Sequence, residues 1–303
     1  MSKSLFTKDD LEEMQSWDLG RKIQVTVTRI IEWYGHYNGK VYVAFSGGKD
    51  STVLLDIVRR IYPDVPAVFC DTGLEFPEIR DFIKQHDNVV ILRPDMNFRQ
   101  VIERYGYPVV SKRVANTVEY GNKPGSFRWK ELHGEILRSN GTLSEFNCEK
   151  WCFLLDAPFK ISAQCCDIMK KKPMKKYSKE TGRFPIIATM TEESRSRRSV
   201  WLRNGCNAFK SKSPSSQPMS FWTNSDVLQY LYIYNIPYAS VYGEIIPPDN
   251  GGGLGHNRRE KDWLCLLCFW RSFGKRAESL PEAKNFTSKT LGILHETMER
   301  AWA

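Results

Sequence analysis

Nowhere in its 303 residues does the chain carry an apolar run of membrane-spanning length, so no transmembrane helix and no membrane partner are expected. The opening stretch, MSKSLFTKDDLEEMQSWDLG, is polar and lacks the apolar region of a secretion signal, which makes the cytoplasm the expected location. Thiols stay reduced there, so clustered members of the 8 cysteines point to metal binding or catalysis rather than to disulfides. There is no internal repeat, which excludes a solenoid. Low complexity is confined to one Pro/Gly loop, EIIPPDNGGGLGHN.

What is present fits a folded globular protein. The hydrophobic fraction is 41% and the charged fraction 26%, a balance able to build a core and one large or two small domains. The net charge of +9 favours polyanionic partners such as nucleotides or nucleic acid.

Residues 8–36 show acidic residues at the start and apolar positions at three- and four-residue spacing (Ile23, Val27, Ile30, Ile31, Tyr34), which predicts one helix. KVYVAF (40–45), VPAVFCDTG, NVVILRP (88–94) and FPIIATM (184–190) read as strands, with helices over 51–62 and in PEIRDFIKQH. Strands alternating with helices predict an α/β fold with a parallel sheet and helices on both faces. Residues 112–180 lack clear strands and are rich in Lys, Arg and Trp, so a mainly helical insertion is expected there. FWTNSDVLQYLYIYNIPY reads as a helix capped by Thr223 or Asn224 that stops before Pro237. The expected division is a nucleotide-binding core over 1–200 and an appended, mainly helical and loop-rich C-terminal region over 201–303.

Between the first strand and the next helix lies Ser46-Gly47-Gly48-Lys49-Asp50-Ser51. Such a unit aims backbone N–H groups and a helix N-terminus at an anion. The glycines let the backbone approach phosphate, Lys49 adds a point charge, and Ser46 and Ser51 can donate hydroxyl hydrogen bonds. This is not the common ATPase loop, which needs Gly, four residues, then Gly-Lys-Ser/Thr. Here Asp50 follows Lys49, and position 43 is Val43.

The loop resembles the PP-loop of ATP pyrophosphatases. That resemblance implies cleavage of ATP between the α- and β-phosphates, transfer of AMP to a substrate oxygen and retention of pyrophosphate by the loop, with Lys49 and Asp50 catalytic. VFCDTGLEFPEIRDFI (68–83) resembles the second motif of the phosphoadenosine-phosphosulfate reductase family. Carried over, Asp71, Thr72 and Gly73 line the ATP site, with Glu75 and Glu78 nearby. A carboxylate there is able to hold Mg²⁺. IIATMTEESRSRRSVWL (186–202) resembles the family segment in which a strand leads into arginines, placing Arg195, Arg197 and Arg198 on phosphate or sulfate oxygens. A strand-ending turn and a solvated charge run are the plainer readings of these two segments.

Cys165 and Cys166 are adjacent, and Cys265 and Cys268 form Cys-x-x-Cys. The pattern is similar to the 4Fe–4S site of assimilatory adenylylsulfate reductases, down to the basic, proline-containing stretch after the vicinal pair. Four thiolates suffice for one cluster. Structural zinc and a metal-free buried set remain alternatives. Cys148 and Cys152 are alternative ligands or a sulfur-carrying thiol. Cys206 is a candidate sulfur-handling nucleophile, or a packed small residue.

The chain departs from those reductases in two ways. Its loop is intact where theirs is degraded, and its last cysteine is Cys268, where they carry a nucleophilic cysteine near the C-terminus. An ATP-cleaving loop beside an iron–sulfur pattern is similar to PP-loop sulfur-transfer enzymes. The implied function is adenylation of an anionic acceptor, DNA or tRNA among the candidates, followed by sulfur transfer with a donor such as a cysteine desulfurase. The alternatives are a sulfonucleotide reductase and a nucleotide-gated, nucleic-acid-binding subunit of a larger complex. Homodimer formation is compatible with each.

Overall fold

In the computed structural model, Thr7 starts the first helix, α1 (Lys8–Ser16), through a reciprocal cap: Asp10 N–H donates to Thr7 Oγ1 at 3.1 Å and Thr7 N–H donates to Asp10 Oδ2 at 2.7 Å. The structure describes residues 4–246 and the backbone of residues 255 and 256. The single helix expected over 8–36 is two. Trp17 is extended, and Asp18 accepts from Arg21 N–H at 2.9 Å to cap α2 (Leu19–His36). A short carboxylate that accepts from a backbone N–H three residues on restarts a helix more readily than it continues one. The buried stripe of α2 also differs from the expected one. Lys22, Thr26, Ile30 and Trp33 face inward while Ile31 is exposed. Two polar residues join the stripe because they have partners: Lys22 Nζ donates to Asp226 Oδ2 at 2.7 Å, and Thr26 Oγ1 accepts from Trp222 Nε1 at 2.9 Å.

Four strands form one parallel sheet: β1 (Val41–Ala44), β2 (Ala67–Cys70), β3 (Val89–Leu92) and β4 (Phe184–Ile187), in the order β3-β2-β1-β4. β1 pairs with β2 through Val43↔Ala67 and with β4 through Val41↔Phe184. Helix α3 (Lys49–Ile61) follows β1, and α4 (Pro77–Lys84) follows β2. Val41, Val43, Val53, Leu54, Val58 and Ala67 are fully buried, the continuous apolar burial of a covered parallel sheet. The α/β parallel-sheet architecture expected from the sequence is the one observed.

The described chain divides into two units. The first comprises residues 4–71, 75–93 and 173–246, and holds the sheet. It also contains α9 (Arg195–Asn204) and α10 (Asn224–Ile233), and Ile245–Ile246 pairs antiparallel with Gly255–His256. Thr223 caps α10, as expected, with Asp226 completing a capping box.

The second unit comprises residues 72–74 and 94–172. It contains α5 (Phe98–Tyr105), α6 (Lys112–Tyr120), α7 (Phe127–Leu132), a 3₁₀ helix (Glu149–Asp156) and a π turn (Asp167–Lys171); α8 (Lys172–Thr181) follows and belongs, after Lys172, to the first unit. Its core joins Val114, Val118, Leu132, Trp151, Leu154 and Ile161. Buried Glu131 is held by Arg113 at 3.0 Å, Arg128 at 2.6 Å and Thr117 at 3.1 Å. Residues 133–148 are irregular, crossed by a Leu137↔Leu143 bridge. No helix among the described residues is long and apolar enough to cross a membrane.

Candidate functional site

In the order β3-β2-β1-β4, the chain steps from β1 to β2 to β3 on one side and then crosses to β4 on the other side of β1, so the crevice beyond the C-terminal ends of β1 and β4 is a topological switch point, where open α/β sheets bind ligands. The 46–51 loop leaves β1 at this point, and the arginine segment follows β4. Gly47 has φ +74°, and a Cβ there would stand 2.7 Å from Ile79 Cγ2 of α4. The position therefore demands glycine twice over, by conformation and by space. Ser51 braces the turn: its Oγ donates to Gly48 O at 2.9 Å, accepts from Ser46 N–H at 3.2 Å and lies 3.1 Å from Ser46 Oγ. Gly48 is the N-cap of α3 and supplies no side-chain cap, so the positive end of the helix dipole faces the loop.

Lys49 is only 8% exposed. Its Nζ donates to Asn224 Oδ1 at 3.4 Å and lies 5.6 Å from the ring centre of Tyr242. Asn224 N–H in turn donates to Glu192 Oε2 at 2.8 Å. A chain of contacts therefore runs from the segment after β4, through the first residue of α10, to the loop lysine. Sequence reasoning saw Asn224 only as a helix cap and missed Glu192 and Tyr242. No local signal distinguishes residues that meet only through the fold.

Asp71, at the end of β2, accepts from Arg80 Nη2 at 2.9 Å and lies 4.0 Å from Arg93 Nε. Arg80 too was unseen in the sequence. Arg195 and Arg198 are exposed at the start of α9, and Arg197 is ion-paired with Glu193 across one turn. Asp50 lies partly buried in the first turn of α3.

In the second unit, Thr72 and Leu74 line a cavity of about 260 Å³ together with Phe98, Lys112, Cys165 and Cys166. Gly73 follows with φ +82°. The structure thus brings Thr72 together with the vicinal cysteines. Their sulfurs are 4.0 Å apart. The hydrogen bond from Cys165 lowers the Cys166 thiol to about 6, helped by the charges of Lys112 and Lys170 and opposed by burial and Asp167. A soft, anionic sulfur beside a second thiol in an apolar hollow fits iron or zinc in its chemistry. Cys265 and Cys268 lie outside the described residues. Among the described residues no group of three or more His, Cys, Asp or Glu is placed to hold a metal.

Cys206 lies in the first unit, 7% exposed, on the wall of a cavity of about 480 Å³ that includes Trp17 and Trp201. Burial pushes its thiol up. Burial of this kind is common for a packed cysteine.

The phosphoadenosine phosphosulfate reductase domain matches the chain over residues 40–119 and 145–274. An uncharacterized protein of Methanocaldococcus jannaschii is 24% identical over 248 residues, covering 78% of this chain but 45% of its own length. The chain thus spans less than half of that relative. The adenosine 5'-phosphosulfate reductase of Staphylococcus haemolyticus is 23% identical over 225 residues, 72% of either chain. Among solved structures, the phosphate complex of the phosphoadenylyl-sulfate reductase from Candida auris aligns with a TM-score of 0.41 and 14% identity, over 84% of this chain and 100% of that one. With its loop, its Asp-Thr-Gly strand end and more than half its length matched by the domain, the chain belongs to the phosphoadenosine phosphosulfate reductase family.

Proposed function

We infer that the chain is an ATP pyrophosphatase-type enzyme that adenylates an acceptor oxygen and replaces it with sulfur. The observation that carries this reading is the intact loop at the switch point, with Lys49 buried behind it. Backbone N–H groups and a near-desolvated ammonium suit the β- and γ-phosphates, which leave together as pyrophosphate when an acceptor oxygen attacks the α-phosphate. Mg²⁺ enters with ATP as its counter-ion. Asn224 and Tyr242 orient Lys49, and Asp50 and the exposed arginines Arg195 and Arg198 supply further polar contacts around the nucleotide. An oxygen is a poor leaving group; once adenylated it departs as AMP, and a sulfur nucleophile takes its place. The net charge of +9 favours a nucleic-acid acceptor.

Cys165 and Cys166, with Cys265 and Cys268, would hold a 4Fe–4S cluster, which when bound supplies sulfur or electron chemistry next to the cavity. The test is pyrophosphate release from ATP by anaerobically purified protein carrying iron and acid-labile sulfide. Release that is lost in Lys49→Ala and Asp50→Ala supports the reading. Release that persists in both variants would sink it.

One observation favours a second reading. The relative from Staphylococcus haemolyticus is named a reductase of adenosine 5'-phosphosulfate. A sulfonucleotide reductase would release sulfite without cleaving ATP, so the same assay separates the two.

A further inference from the structure

His133 follows the last residue of α7. Its Nδ1 lies 2.8 Å from Trp129 O, and its ring stacks on the Trp129 indole at 3.9 Å between centres, tilted by 21°. A carbonyl only accepts, so Nδ1 carries the hydrogen and the neutral ring presents a lone pair at Nε2. Facing that lone pair at 3.8 Å is Cys152 Sγ, on the 3₁₀ helix Glu149–Asp156. A thiol, a base whose tautomer is fixed, and the carbonyl that fixes it make up the arrangement of an activated nucleophile.

The backbone holds the pair in place. Cys148 N–H donates to Glu131 O at 2.8 Å, tying the start of the 3₁₀ helix to α7. Gly134 has φ +74° and packs so tightly on the Glu149 side chain that a Cβ would overlap Glu149 Oε2. His133 is exposed and Cys152 is half-buried, so a solute can reach both. Cys148, four residues earlier, is the contrast: it is 1% exposed and its Sγ donates to Phe146 O at 3.3 Å. Capping the end of α7 requires only the Nδ1 bond; it does not require a thiol at Nε2.

We propose that Cys152 and His133 form a sulfur-accepting dyad that takes sulfane sulfur from a small persulfide and holds it as a Cys152 persulfide. The assignment of sulfur as cargo rests on the sulfur-transfer reading above. In the step, the Cys152 thiol proton passes to His133 Nε2, and the thiolate attacks the outer sulfur of R–S–SH. The donor's S–S bond breaks as the new one forms at Cys152. The donor leaves as R–S⁻ and takes the proton back from the imidazolium. One sulfur atom moves from thiol to thiol, with no net oxidation or reduction.

The test incubates the full chain with glutathione persulfide, without ATP or acceptor, then traps the products and maps peptides by mass spectrometry. Cys152 is expected to gain one sulfur at least about tenfold faster than Cys148 and Cys206, and Cys152→Ser to lose that product. His133→Phe keeps the stacking on Trp129 but removes the base, and is expected to slow the gain by on the order of 100-fold. Iodoacetamide labelling of Cys152 in the same variant, with circular dichroism as the folding control, separates loss of the base from loss of the fold. The proposal is overturned if Cys152 reacts no faster than the buried thiols, or if a folded His133→Phe reacts at the wild-type rate. Pyrophosphate release by the wild-type chain is scored separately. Its absence with Cys152 persulfidated sinks the adenylation reading alone, and its presence with Cys152 inert sinks the dyad alone.

Discussion

Lys22 Nζ lies 2.7 Å from Asp226 Oδ2 and donates also to Gln15 O at 2.7 Å, with the lysine side chain 2% exposed. The pair fastens α2 to the first turn of α10, the turn that presents Asn224 to Lys49. Removing one partner strands a buried charge, a loss of roughly 3–5 kcal/mol. Lys22→Met is expected to lower stability by that order in urea unfolding, and the Lys22→Met/Asp226→Asn double variant, which removes the stranded charge but keeps an acceptor for the Thr223 cap, to recover part of it. A single variant as stable as wild type would show that the pair is not a buried tie.

Gly47→Ala places a Cβ against Ile79 in a left-handed backbone conformation. The strain is roughly 1–3 kcal/mol, and the loop must move to relieve it. Binding of a fluorescent ATP analogue is expected to fall sharply while the thermal midpoint changes modestly. Gly47→Ala in an Ile79→Ala background relieves the steric part and is expected to regain some binding.

Asn224→Ala removes one acceptor from Lys49 without touching the loop itself. A hydrogen bond to a charged group contributes about 1.5–3 kcal/mol, so pyrophosphate release is expected to drop by roughly tenfold or more. Unchanged release would show that Asn224 is only a helix-starting residue.

Cys166 is an acid whose folded value is lowered from 9.0 to about 6. Between those values it is the anion while an ordinary thiol is still neutral. In chain stripped of metal by a chelator, its alkylation by iodoacetamide is expected to be half-maximal near pH 6 and to stay high above it. Cys165→Ser replaces the thiol hydrogen-bond donor, and Lys112→Ala removes a helpful charge. A midpoint that rises in Lys112→Ala identifies the electrostatic contribution, and a wild-type midpoint near 9 would refute the shift.

Much of the first unit was legible because its signals are local. Short continuous apolar runs marked all four strands, and the glycine pair after β1 marked the loop, where Gly47 has a positive φ. The inward stripe of α2 was hidden because Lys22 and Thr26 look like a solvent face until Asp226 and Trp222, some two hundred residues later, are packed against them. For the same reason Arg80 on Asp71 and Asn224 on Lys49 went unseen. Their roles come from tertiary placement, not from spacing. In the second unit, the thiol pair could be named from its adjacency, but His133 beside Cys152 could not, since nothing over a sequence separation of 19 marks a contact.

Val41 of β1 pairs with Phe184 of β4, and residues 72–74 and 94–172 of the second unit lie between them in the chain. Contacts so distant in sequence close late. On the ribosome, β1, β2 and β3 emerge and can assemble first, while the crevice between β1 and β4 waits for the remainder. A nascent chain therefore carries the glycine loop long before β4 and Asn224 are made, and the crevice around Lys49 closes only once those later residues have emerged.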